Sequence, residues 1–382
     1  MPSVYVHVPF CLKKCDYCDF FSVAQGESRP PHREYLAAVI RQLEGDAPAF
    51  EGEEISSVYF GGGTPSLMPP EFFGAVVGAL KERLGLAGGA EVSAEANPGS
   101  ADAAWFSGVR EAGVTRVSLG VQSFSPRLLK YLGRAHTAEE AMEAMASAGE
   151  AGFESVSLDL MYAIGDESAK ELGEDLRTAM TFQPKHISAY ALTVEEGTPL
   201  YLRLRGKAAA SEEESLRQMR VVGRTLSRGG WGRYEISNFA KPGFECRHNQ
   251  NYWRYGEYLG LGAGATSFVF TGGQTNRRTA FGRRFTQVRD VSAYVAGTGA
   301  LSEDETIDER TAMGEFVFMG LRTANGISAA RFAELFGEGI DERFSGEIVR
   351  LVSDGLLLRE GDRMKLTEKG TELSNQAFAT FV

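Results

Sequence analysis

Cysteine is scarce in this chain of 382 residues, which has only four. Three of the four, Cys11, Cys15 and Cys18, lie in one short segment. Cysteines this close together are poorly placed for disulfides with one another and well placed for a single metal centre, which indicates a reducing compartment. The N-terminus also lacks a basic segment followed by an apolar one, so we expect no signal peptide and a cytoplasmic protein.

Long hydrophobic runs and excess positive charge are absent as well. The longest uncharged stretch, 259–276, is interrupted by glycines. Its composition is that of a loop and a strand, so we expect no integral membrane segment. The net charge of −11 excludes a general nucleic-acid binder, whose affinity depends on neutralising phosphates. We therefore expect no nucleic-acid partner.

The first half of the chain alternates short β-branched runs with amphipathic segments rich in Ala, Glu and Leu. Strands are predicted to begin near Val4, Ser57, Glu91, Arg116, Ser155 and His186. Helices are predicted at 33–43, 70–84, 101–111, 137–151 and 169–181. This alternation is typical of a parallel sheet with crossover helices, whose strands are apolar on both faces. Six such units predict an α/β fold built on a partial parallel (β/α)6 TIM-like barrel.

The rest of the chain predicts a C-terminal α+β extension followed by a small winged-helix-like domain. A helix at 212–229 precedes a glycine- and aromatic-rich region, 231–285, which we interpret as strands and loops that close or extend the sheet. A helix at 308–321 follows. Two short helical patterns, a β-hairpin with Gly361 and Asp362 in its turn and a last helix complete the winged-helix-like pattern. We interpret it as a packing domain, and nucleic-acid binding is the alternative. The predicted domains are 1–235, 236–325 and 326–382.

Cys11, Cys15 and Cys18 form a C-x3-C-x2-C motif directly after the first predicted strand. Three thiolates can hold three irons of a 4Fe–4S cluster and leave the fourth iron free to bind a small molecule, unlike the four-cysteine clusters of simple electron carriers. Zinc is the alternative, with His7 as a candidate fourth ligand, although zinc usually takes four ligands at two paired spacings. Three buried thiols without a metal are the remaining alternative.

Polar residues recur at the ends of the later predicted strands. Glu95, Gln122 and Asp159 each lie at or just after the end of a strand. A glycine-rich segment, GGGTP, ends the second strand, and glycines let a backbone approach a ligand closely. Because the carboxyl ends of parallel strands meet at one mouth of a barrel, the pattern favours a shared ligand site over three separate helix caps.

Taken with these features, the cysteine motif resembles the cluster motif of the radical S-adenosylmethionine (SAM) enzymes. The resemblance implies a 4Fe–4S cluster on Cys11, Cys15 and Cys18, with SAM bound beside it. Arg134 lies in the segment LGRAH, where its guanidinium could meet a carboxylate or a ribose oxygen. The implied SAM contacts are Tyr5, Gly62, Gly63, Thr64, Glu95, Gln122, Arg134 and Asp159.

The segments YVHVPFC, GGGTPS, AEANP, GVQSF and LGRAH resemble one branch of that superfamily. This branch contains oxygen-independent coproporphyrinogen III dehydrogenase and the HemW heme chaperones, and the resemblance covers nearly the whole chain. Two features favour the chaperones. Phe20 occupies the position of an additional cysteine in the dehydrogenase, and Cys11 lies too early in the chain for the dehydrogenase's N-terminal extension.

A later block, HNQNYW, resembles the HNxxYW motif that is associated with heme in the chaperone family. The resemblance implies heme contacts from His248, Asn249, Tyr252 and Trp253. His248 is a credible axial ligand because neutral imidazole binds iron well. The alternative is that His248 and Asn249 make turn hydrogen bonds while the two aromatic residues pack in the core. Cys246, just before this block, is either a buried thiol or a second candidate ligand.

The resemblance implies a heme chaperone that binds heme or another tetrapyrrole and delivers it to recipient hemoproteins, with no catalytic residue. A homodimer and peripheral contact with a membrane are compatible with that function. The alternative is the dehydrogenase, whose substrate carries carboxylates and would need several arginines. Candidate arginines are Arg277, Arg278, Arg283 and Arg284.

Two departures from the family pattern affect the predicted sites. The family's YGLP appears as YAIG at 162–165, near the expected position of the SAM ribose. The family's GAHS has Thr266 in place of the histidine. If that histidine ligates or orients heme in the relatives, this chain binds heme differently.

Overall fold

The computed structural model of the protein describes residues 1–26, 28, 30–271 and 280–381. Its main element is a sheet of twelve strands, with a three-stranded sheet near the C-terminus and a two-stranded sheet at the cysteine segment. Within the described residues, no helix is both long enough and apolar enough to cross a membrane.

The strands and helices follow the predicted alternation. Strands β1 to β17 are, in chain order, Ser3–Val8, Phe10–Cys11, Val23–Ala24, Ile55–Gly62, Leu86–Ala96, Arg116–Gln122, Ser155–Tyr162, His186–Ala191, Gly232–Arg233, Asn238–Ala240, Tyr258–Leu261, Thr266–Phe270, Gly282–Thr286, Glu303–Ile307, Ile327–Ser328, Leu357–Glu360 and Arg363–Leu366. Helices α1 to α16 are His32–Asp46, Pro70–Arg83, Ala103–Glu111, Pro126–Leu132, Ala138–Glu150, Ala169–Thr181, Pro199–Leu204, Glu212–Arg228, Arg247–Trp253, Val291–Ala296, Glu309–Leu321, Ala329–Phe336, Ile340–Arg343, Ser345–Ser353, Glu368–Glu372 and Ser374–Phe378.

Six parallel strands form the centre of the large sheet, in the order β1, β4, β5, β6, β7 and β8. Helices connect successive strands, as parallel pairing requires. This confirms the predicted partial parallel barrel. Beyond β1 the sheet continues through β11, β12, β13 and β14, and beyond β8 it continues through β10 and β9. The region 231–285 therefore extends the sheet at both edges and does not close it.

The central strands have an apolar outer face and a polar inner face. In β6, Val117, Leu119 and Val121 are fully buried in the main hydrophobic core, whereas Ser118 and Gly120 line the interior of the barrel. Side chains alternate between the two faces of a strand, so each strand contributes to both. The prediction that these strands are apolar on both faces is therefore wrong, and the polar inner face leaves room for a ligand.

The interpretation of 231–285 as strands and loops is wrong at α9, which contains the HNQNYW block. The residue at the N-cap of α9, Cys246, makes no side-chain cap. Instead, the carboxylate of Glu91 on β5 accepts hydrogen bonds from the backbone N–H groups of Arg247 and His248, each at 3.3 Å. A helix that is capped by a distant strand carries no local start signal, which explains the error.

The C-terminal segment forms the predicted winged-helix-like unit from α12 to α16. Gly361 and Asp362 connect β16 to β17, as the hairpin pattern predicts. The unit has its own apolar cluster, which α11 joins. Arg220 on α8 forms a two-pronged ion pair with Glu372 on α15, with both N···O distances at 2.6 Å, which ties the unit to the barrel. The predicted domain boundaries stay predictions.

Candidate cluster and ligand chamber

The three clustered cysteines lie in the loop that begins at the end of β2. Cys11 is buried, while Cys15 and Cys18 are half-buried, and all are free thiols. Two of the sulfurs already accept hydrogen bonds. Thr64 Oγ1 donates to Cys11 Sγ at 3.5 Å, and Arg134 Nη1 donates to Cys15 Sγ at 3.4 Å. These two hydrogen bonds connect the cysteine loop to the residue after Gly63 and to the loop that follows α4.

The glycine-rich segment at the end of β4 packs directly on the chain that leads to Cys11. The backbone N–H of Gly63 donates to Val8 O at 2.9 Å. Gly62 has a φ of +110°, and a Cβ there would lie 2.3 Å from the His7 ring. A Cβ on Gly63 would lie 2.8 Å from the backbone oxygens of Val8 and Phe10. Only glycine fits at these two positions, so the segment and the cysteine loop are held as one unit.

A cavity of about 400 Å³ runs from the cysteine loop into the barrel; we call it the chamber. It gathers most of the predicted site residues. Those that line it are Cys11, Cys15, Cys18, Gly62, Gly63, Thr64, Glu95, Gln122, Arg134, Asp159 and Asn249. The convergence that the strand-end pattern predicts is therefore present in the structure, although their roles as ligands remain predictions.

Two buried carboxylates face the middle of the chamber. Glu95 accepts hydrogen bonds from Tyr59 Oη at 2.9 Å and from the backbone N–H of Gly62 at 3.2 Å. Burial, with a smaller effect from the charge of Asp159, raises the pKa of Glu95 to about 7. Burial also raises the pKa of Asp159, whose carboxylate accepts from Ser118 Oγ at 3.0 Å. Carboxylates in this environment suit a ligand that carries hydrogen-bond donors or a positive charge.

Local backbone distortion places the polar groups at the chamber mouth. Gln122 has a φ of +68°, which is unusual for a residue with a side chain, and the pairing of β6 with β7 shifts register just before it. Arg134 Nη2 donates to Gly120 O at 2.7 Å and to Asn97 Oδ1 at 2.9 Å. These bonds orient the guanidinium toward Cys15 and the chamber.

The donor set fits a cluster better than a single ion. Among the residues that the structure describes, no three His, Cys, Asp or Glu side chains are grouped as ligands of one metal ion. The cysteines of a cubane each bind a different iron, so they need not meet at one point. His7 Nε2 lies 2.8 Å from Phe21 O and His7 Nδ1 lies 2.9 Å from Tyr5 Oη. Both ring nitrogens are therefore engaged, which argues against His7 as a fourth zinc ligand.

The residues of the HNQNYW block do not form one site. His248 is 1% exposed, and its ring nitrogens lie 3.1 Å from Ser57 Oγ and 3.0 Å from Tyr252 Oη. Burial lowers the pKa of His248 to about 3, so the ring is neutral. Asn249 lines the chamber, whereas Trp253 packs under the guanidinium of Arg322 and lines a different cavity.

Helix α9 thus closes the bottom of the barrel. Its residue Tyr252 lines a second cavity, of about 690 Å³, together with Tyr5; we call it the aromatic cleft. Tyr5 is absent from the chamber lining, unlike the other implied SAM contacts. Its hydroxyl is held by His7, so SAM contact from Tyr5 stays a prediction that the chamber geometry does not support.

Several chamber residues were not predicted. They are Tyr59, Asn97, Arg116, Ser118, Gly120, His186, Ser188 and Tyr190. Asn97, two residues beyond Glu95, joins Arg134 to the glycine segment because its Nδ2 donates to Thr64 Oγ1 at 3.0 Å. Most of the others lie on neighbouring strands, where pairing places them beside the predicted residues: Ser118 is paired with Glu95, and Ser188 is paired with Asp159.

Comparison with known proteins gives the family. Residues 5–179 match the model of the radical SAM superfamily, and residues 307–373 match that of the HemN C-terminal domain. The heme chaperone HemW of Escherichia coli (strain K12) is 34% identical over 100% of this chain and 98% of its own length. The protein of the same name from Mycobacterium tuberculosis (strain ATCC 25618 / H37Rv) is 38% identical over 100% of this chain and 94% of its own. The chain belongs to the HemW family.

The fold agrees with this assignment. The solved structure titled "Coproporphyrinogen III oxidase (HemN) from Escherichia coli is a Radical SAM enzyme" superposes with a TM-score of 0.82 and 21% identity, covering 100% of this chain and 90% of that one. This likeness shows a shared fold. The full-length identities with the HemW proteins confirm the resemblance predicted from the sequence.

Membership of the radical SAM superfamily gives this HemW-family chain its two cofactors, a 4Fe–4S cluster and SAM. Together they supply one-electron chemistry at bound SAM. The residues present fit them, because three cysteines share one loop, two of their sulfurs accept hydrogen bonds, and a cavity opens beside them.

Proposed function

We propose that this chain binds heme and delivers it to hemoproteins, the function that the name of its curated relatives states for them. The support is similarity over the whole chain and Phe20 in place of the additional cysteine of the dehydrogenase. The observation that carries the proposal is the aromatic cleft beside the cysteine loop, since it suits a flat ligand with charged edges.

The chamber is proposed as the site of the cluster and of SAM. Cys11, Cys15 and Cys18 would hold the cluster. Arg134 would bind an anionic group of SAM, because its guanidinium lines the chamber and already donates to Cys15 Sγ at 3.4 Å. The remaining proposed SAM contacts are Gly62, Gly63, Thr64, Glu95, Gln122 and Asp159. In this arrangement the residues bind and orient SAM and exclude water, and none of them needs to react.

The aromatic cleft is proposed as the heme site. Tyr5 and His7 line this cleft and not the chamber, whereas Lys14, Asp19 and Phe20 line both cavities. The aromatic lining residues of the cleft are Tyr5, Phe20, Phe21, Tyr252 and Tyr258. Phe20 is 65% exposed, which is unusual for a large apolar side chain. Lys14 and Arg289 line the same cleft. Lys14 Nζ donates to Phe20 O at 3.1 Å and Arg289 forms an exposed ion pair with Glu303 at 3.3 Å, so the two carboxylates of heme would replace these partners. Thr266, in the position of the family's histidine, also lies there.

His248 is not used as the axial ligand in this proposal. Both of its ring nitrogens are hydrogen-bonded inside the protein, so iron could bind only after the bond to Tyr252 is broken. Its role here is to hold α9 against β4 at the bottom of the barrel. The predicted heme contacts of Asn249 and Trp253 are likewise left out, because each lines a different cavity.

Hemin titration of the anaerobically reconstituted protein tests the heme site. We expect one heme per chain, seen as a Soret band that saturates, and weaker binding after Phe20→Ala or Arg289→Gln. Leu202→Ala is the matched control, because Leu202 is 71% exposed and lies outside the cleft. Wild-type affinity in both cleft variants would contradict the proposed site, and no heme binding by the wild type would contradict the function.

The dehydrogenase function has less support in the arginines that were predicted for it. Arg283 forms an ion pair with Asp304 at 2.7 Å, and Arg284 forms one with Glu315 at 2.5 Å. Arg277 and Arg278 lie outside the described residues. Incubation of the reconstituted protein with SAM, a reductant and coproporphyrinogen III should give no protoporphyrinogen. Sustained turnover would overturn the chaperone proposal.

A cytoplasmic location is part of the proposal, because free thiols and an iron–sulfur cluster require a reducing compartment. Assembly as a homodimer and peripheral contact with a membrane during delivery are also proposed, without assigned residues. Size-exclusion chromatography with and without heme tests the first, and flotation with vesicles of anionic lipid tests the second.

A further inference from the structure

The chamber continues below the proposed SAM position to a floor at the lower end of the barrel. The lower lining includes Arg116, Cys246 and Asn249. Arg116 is the first residue of β6, and its side chain shares the inner face of the strand with Ser118 and Gly120, which also line the chamber. The floor therefore holds a positive charge, while the carboxylates of the chamber lie above it.

Arg116 is buried and has no direct carboxylate partner among the described residues, although the charges of Glu91 and Asp159 act on it at longer range. Its side chain is 3% exposed. Nη1 donates to Ser155 Oγ at 3.1 Å and, at a longer distance of 3.4 Å, to Phe244 O. Nε has no hydrogen-bond partner, and no ion pair joins Arg116 to a carboxylate of the described residues. Burying a charged group unpaired is costly, so such an arrangement indicates a missing anionic partner.

The carboxylate of Glu91 does not act as this anionic partner. Glu91 acts on Arg116 through its charge, but its oxygens are engaged elsewhere. They accept from the backbone N–H groups of Arg247 and His248 and from Cys246 Sγ at 3.5 Å. Glu91 therefore caps α9, and the guanidinium keeps unused donors.

A second unpartnered polar atom lies next to Arg116. Ser93 on β5 is 1% exposed, and its hydroxyl has no hydrogen-bond partner. Ser93 and Arg116 are paired in register on neighbouring parallel strands. Ser93 shares a face with Glu95; Glu95 and Arg116 line the chamber, and Ser93 lies beside Arg116 just behind the lining. Two unsatisfied donors, side by side on the inner face, form a small site for an acceptor.

We propose that the floor of the chamber is a subsite for the carboxylate of a small organic acid, held by Arg116 and Ser93 below the SAM position. A carboxylate matches the planar donors of a guanidinium and can accept from a hydroxyl at the same time. The buried carboxylates of Glu95 and Asp159 above the floor repel an anion, so the charged end of the acid points down. Its carbon chain then extends toward SAM.

The size of the chamber limits the acid. A volume of about 400 Å³ is near the lower end for ligand cavities, and SAM occupies the upper part. A tetrapyrrole does not fit beside it, so this ligand is distinct from the heme of the aromatic cleft. The inference goes beyond heme delivery, because it gives the chamber a second ligand within reach of SAM.

Propionate and its neutral analogue propionamide test the subsite. Binding of [1-13C]propionate to the reconstituted, SAM-loaded protein is followed by line broadening of the carboxylate resonance. We expect propionate to bind and propionamide not to bind. Arg116→Gln should weaken propionate binding at least about tenfold, since a charge-assisted hydrogen bond is lost. Ser93→Ala, a smaller change, should weaken it about threefold.

Matched variants separate this result from general damage. Arg177→Gln removes an exposed arginine on α6 and should leave propionate binding unchanged. Arg116→Gln should retain the cluster spectrum, SAM binding and heme binding, so failure of the chaperone proposal is a separate outcome. Equal binding of propionate and propionamide, unchanged binding in both floor variants, or no propionate binding at any concentration tested would overturn the subsite. In the last case, water molecules accept the hydrogen bonds of Arg116 and Ser93.

Discussion

Arg134 Nη1 lies 3.4 Å from Cys15 Sγ, so a guanidinium from the loop after α4 touches the cysteine loop directly. Nη2 of the same side chain is fixed by Gly120 O and Asn97 Oδ1. The side chain is therefore preorganised, and a ligand that binds beside the cysteines meets a cation already in place.

Arg134→Gln should lower the affinity of the reconstituted protein for SAM by about tenfold or more, because a charge-assisted hydrogen bond is worth about 1.5–3 kcal/mol. Equilibrium dialysis with labelled SAM measures this. Arg134→Lys should not restore the affinity, since an ammonium cannot make the three fixed contacts. Arg127→Gln is the control, because Arg127 pairs with Glu171 on the surface. Equal affinities in all variants would rule out the proposed role.

Replacing Cys11, Cys15 or Cys18 by Ala should abolish most of the iron and sulfide content and the cluster's charge-transfer absorption. Cys246→Ala should keep both, because Cys246 lies at the chamber floor and bonds to Glu91. Iron and sulfide assays after anaerobic reconstitution measure the difference. A wild-type cluster in any of the first three variants would remove that cysteine from the ligand set.

Gly62→Ala should destabilise the protein by at least about 2 kcal/mol and lower its cluster content, since a Cβ would overlap the His7 ring and the φ of +110° disfavours alanine. Gly78→Ala is the matched control. Gly78 lies inside α2, and no atom lies within 4 Å of the place that an alanine Cβ would take there, so this change should stabilise the helix by about 0.5–1 kcal/mol. Urea unfolding under anaerobic conditions compares the two, and a neutral Gly62→Ala would contradict the packing argument.

His248→Ala should cost about 2–4 kcal/mol of folding free energy, because it leaves the hydroxyls of Ser57 and Tyr252 unpaired and opens a buried space. Its heme affinity in the folded protein should equal that of the wild type. Hemin titration and urea unfolding on the same preparation separate the two effects. A large loss of heme affinity with unchanged stability would restore His248 as an axial ligand.

The stability contributed by His248 should fall as the pH falls. Burial lowers the pKa of the folded ring to about 3, whereas in the unfolded chain it is about 6.5. The unfolded state therefore takes up a proton first, so stability is lost from about pH 6.5 downward until the folded ring also titrates. Between about pH 7.5 and 5.5, the wild type should lose about 1.4 kcal/mol more than His248→Gln. Parallel losses in both proteins would contradict this.

The sequence allowed correct predictions for side chains at the ends of the parallel strands. Glu95 and Asp159 could be placed at one mouth because parallel strands align their carboxyl ends, and the structure puts both in the chamber. Local cysteine spacing likewise placed three thiols on one loop. These features depend on order along the chain, which a single sequence shows.

Features that depend on contacts between distant residues could not be predicted. The start of α9 is set by Glu91, which no pattern near the HNQNYW block reveals. Tyr5 was implied as a SAM contact, but it lines the aromatic cleft and not the chamber, and its hydroxyl lies 2.9 Å from His7 Nδ1. Which cavity an inward side chain faces is decided by its neighbours on other strands, and those positions are known only once the sheet is assembled.

The position of β1 in the sheet has a consequence for biosynthesis. β1 leads directly into the cysteine loop, yet one of its two neighbours is β11, at Tyr258–Leu261. A nascent chain emerges from the ribosome N-terminus first, so this edge stays uncovered until most of the polypeptide has been translated. Iron delivered before that moment would meet thiols on an unsupported loop, so we expect cluster insertion to follow the completion of translation.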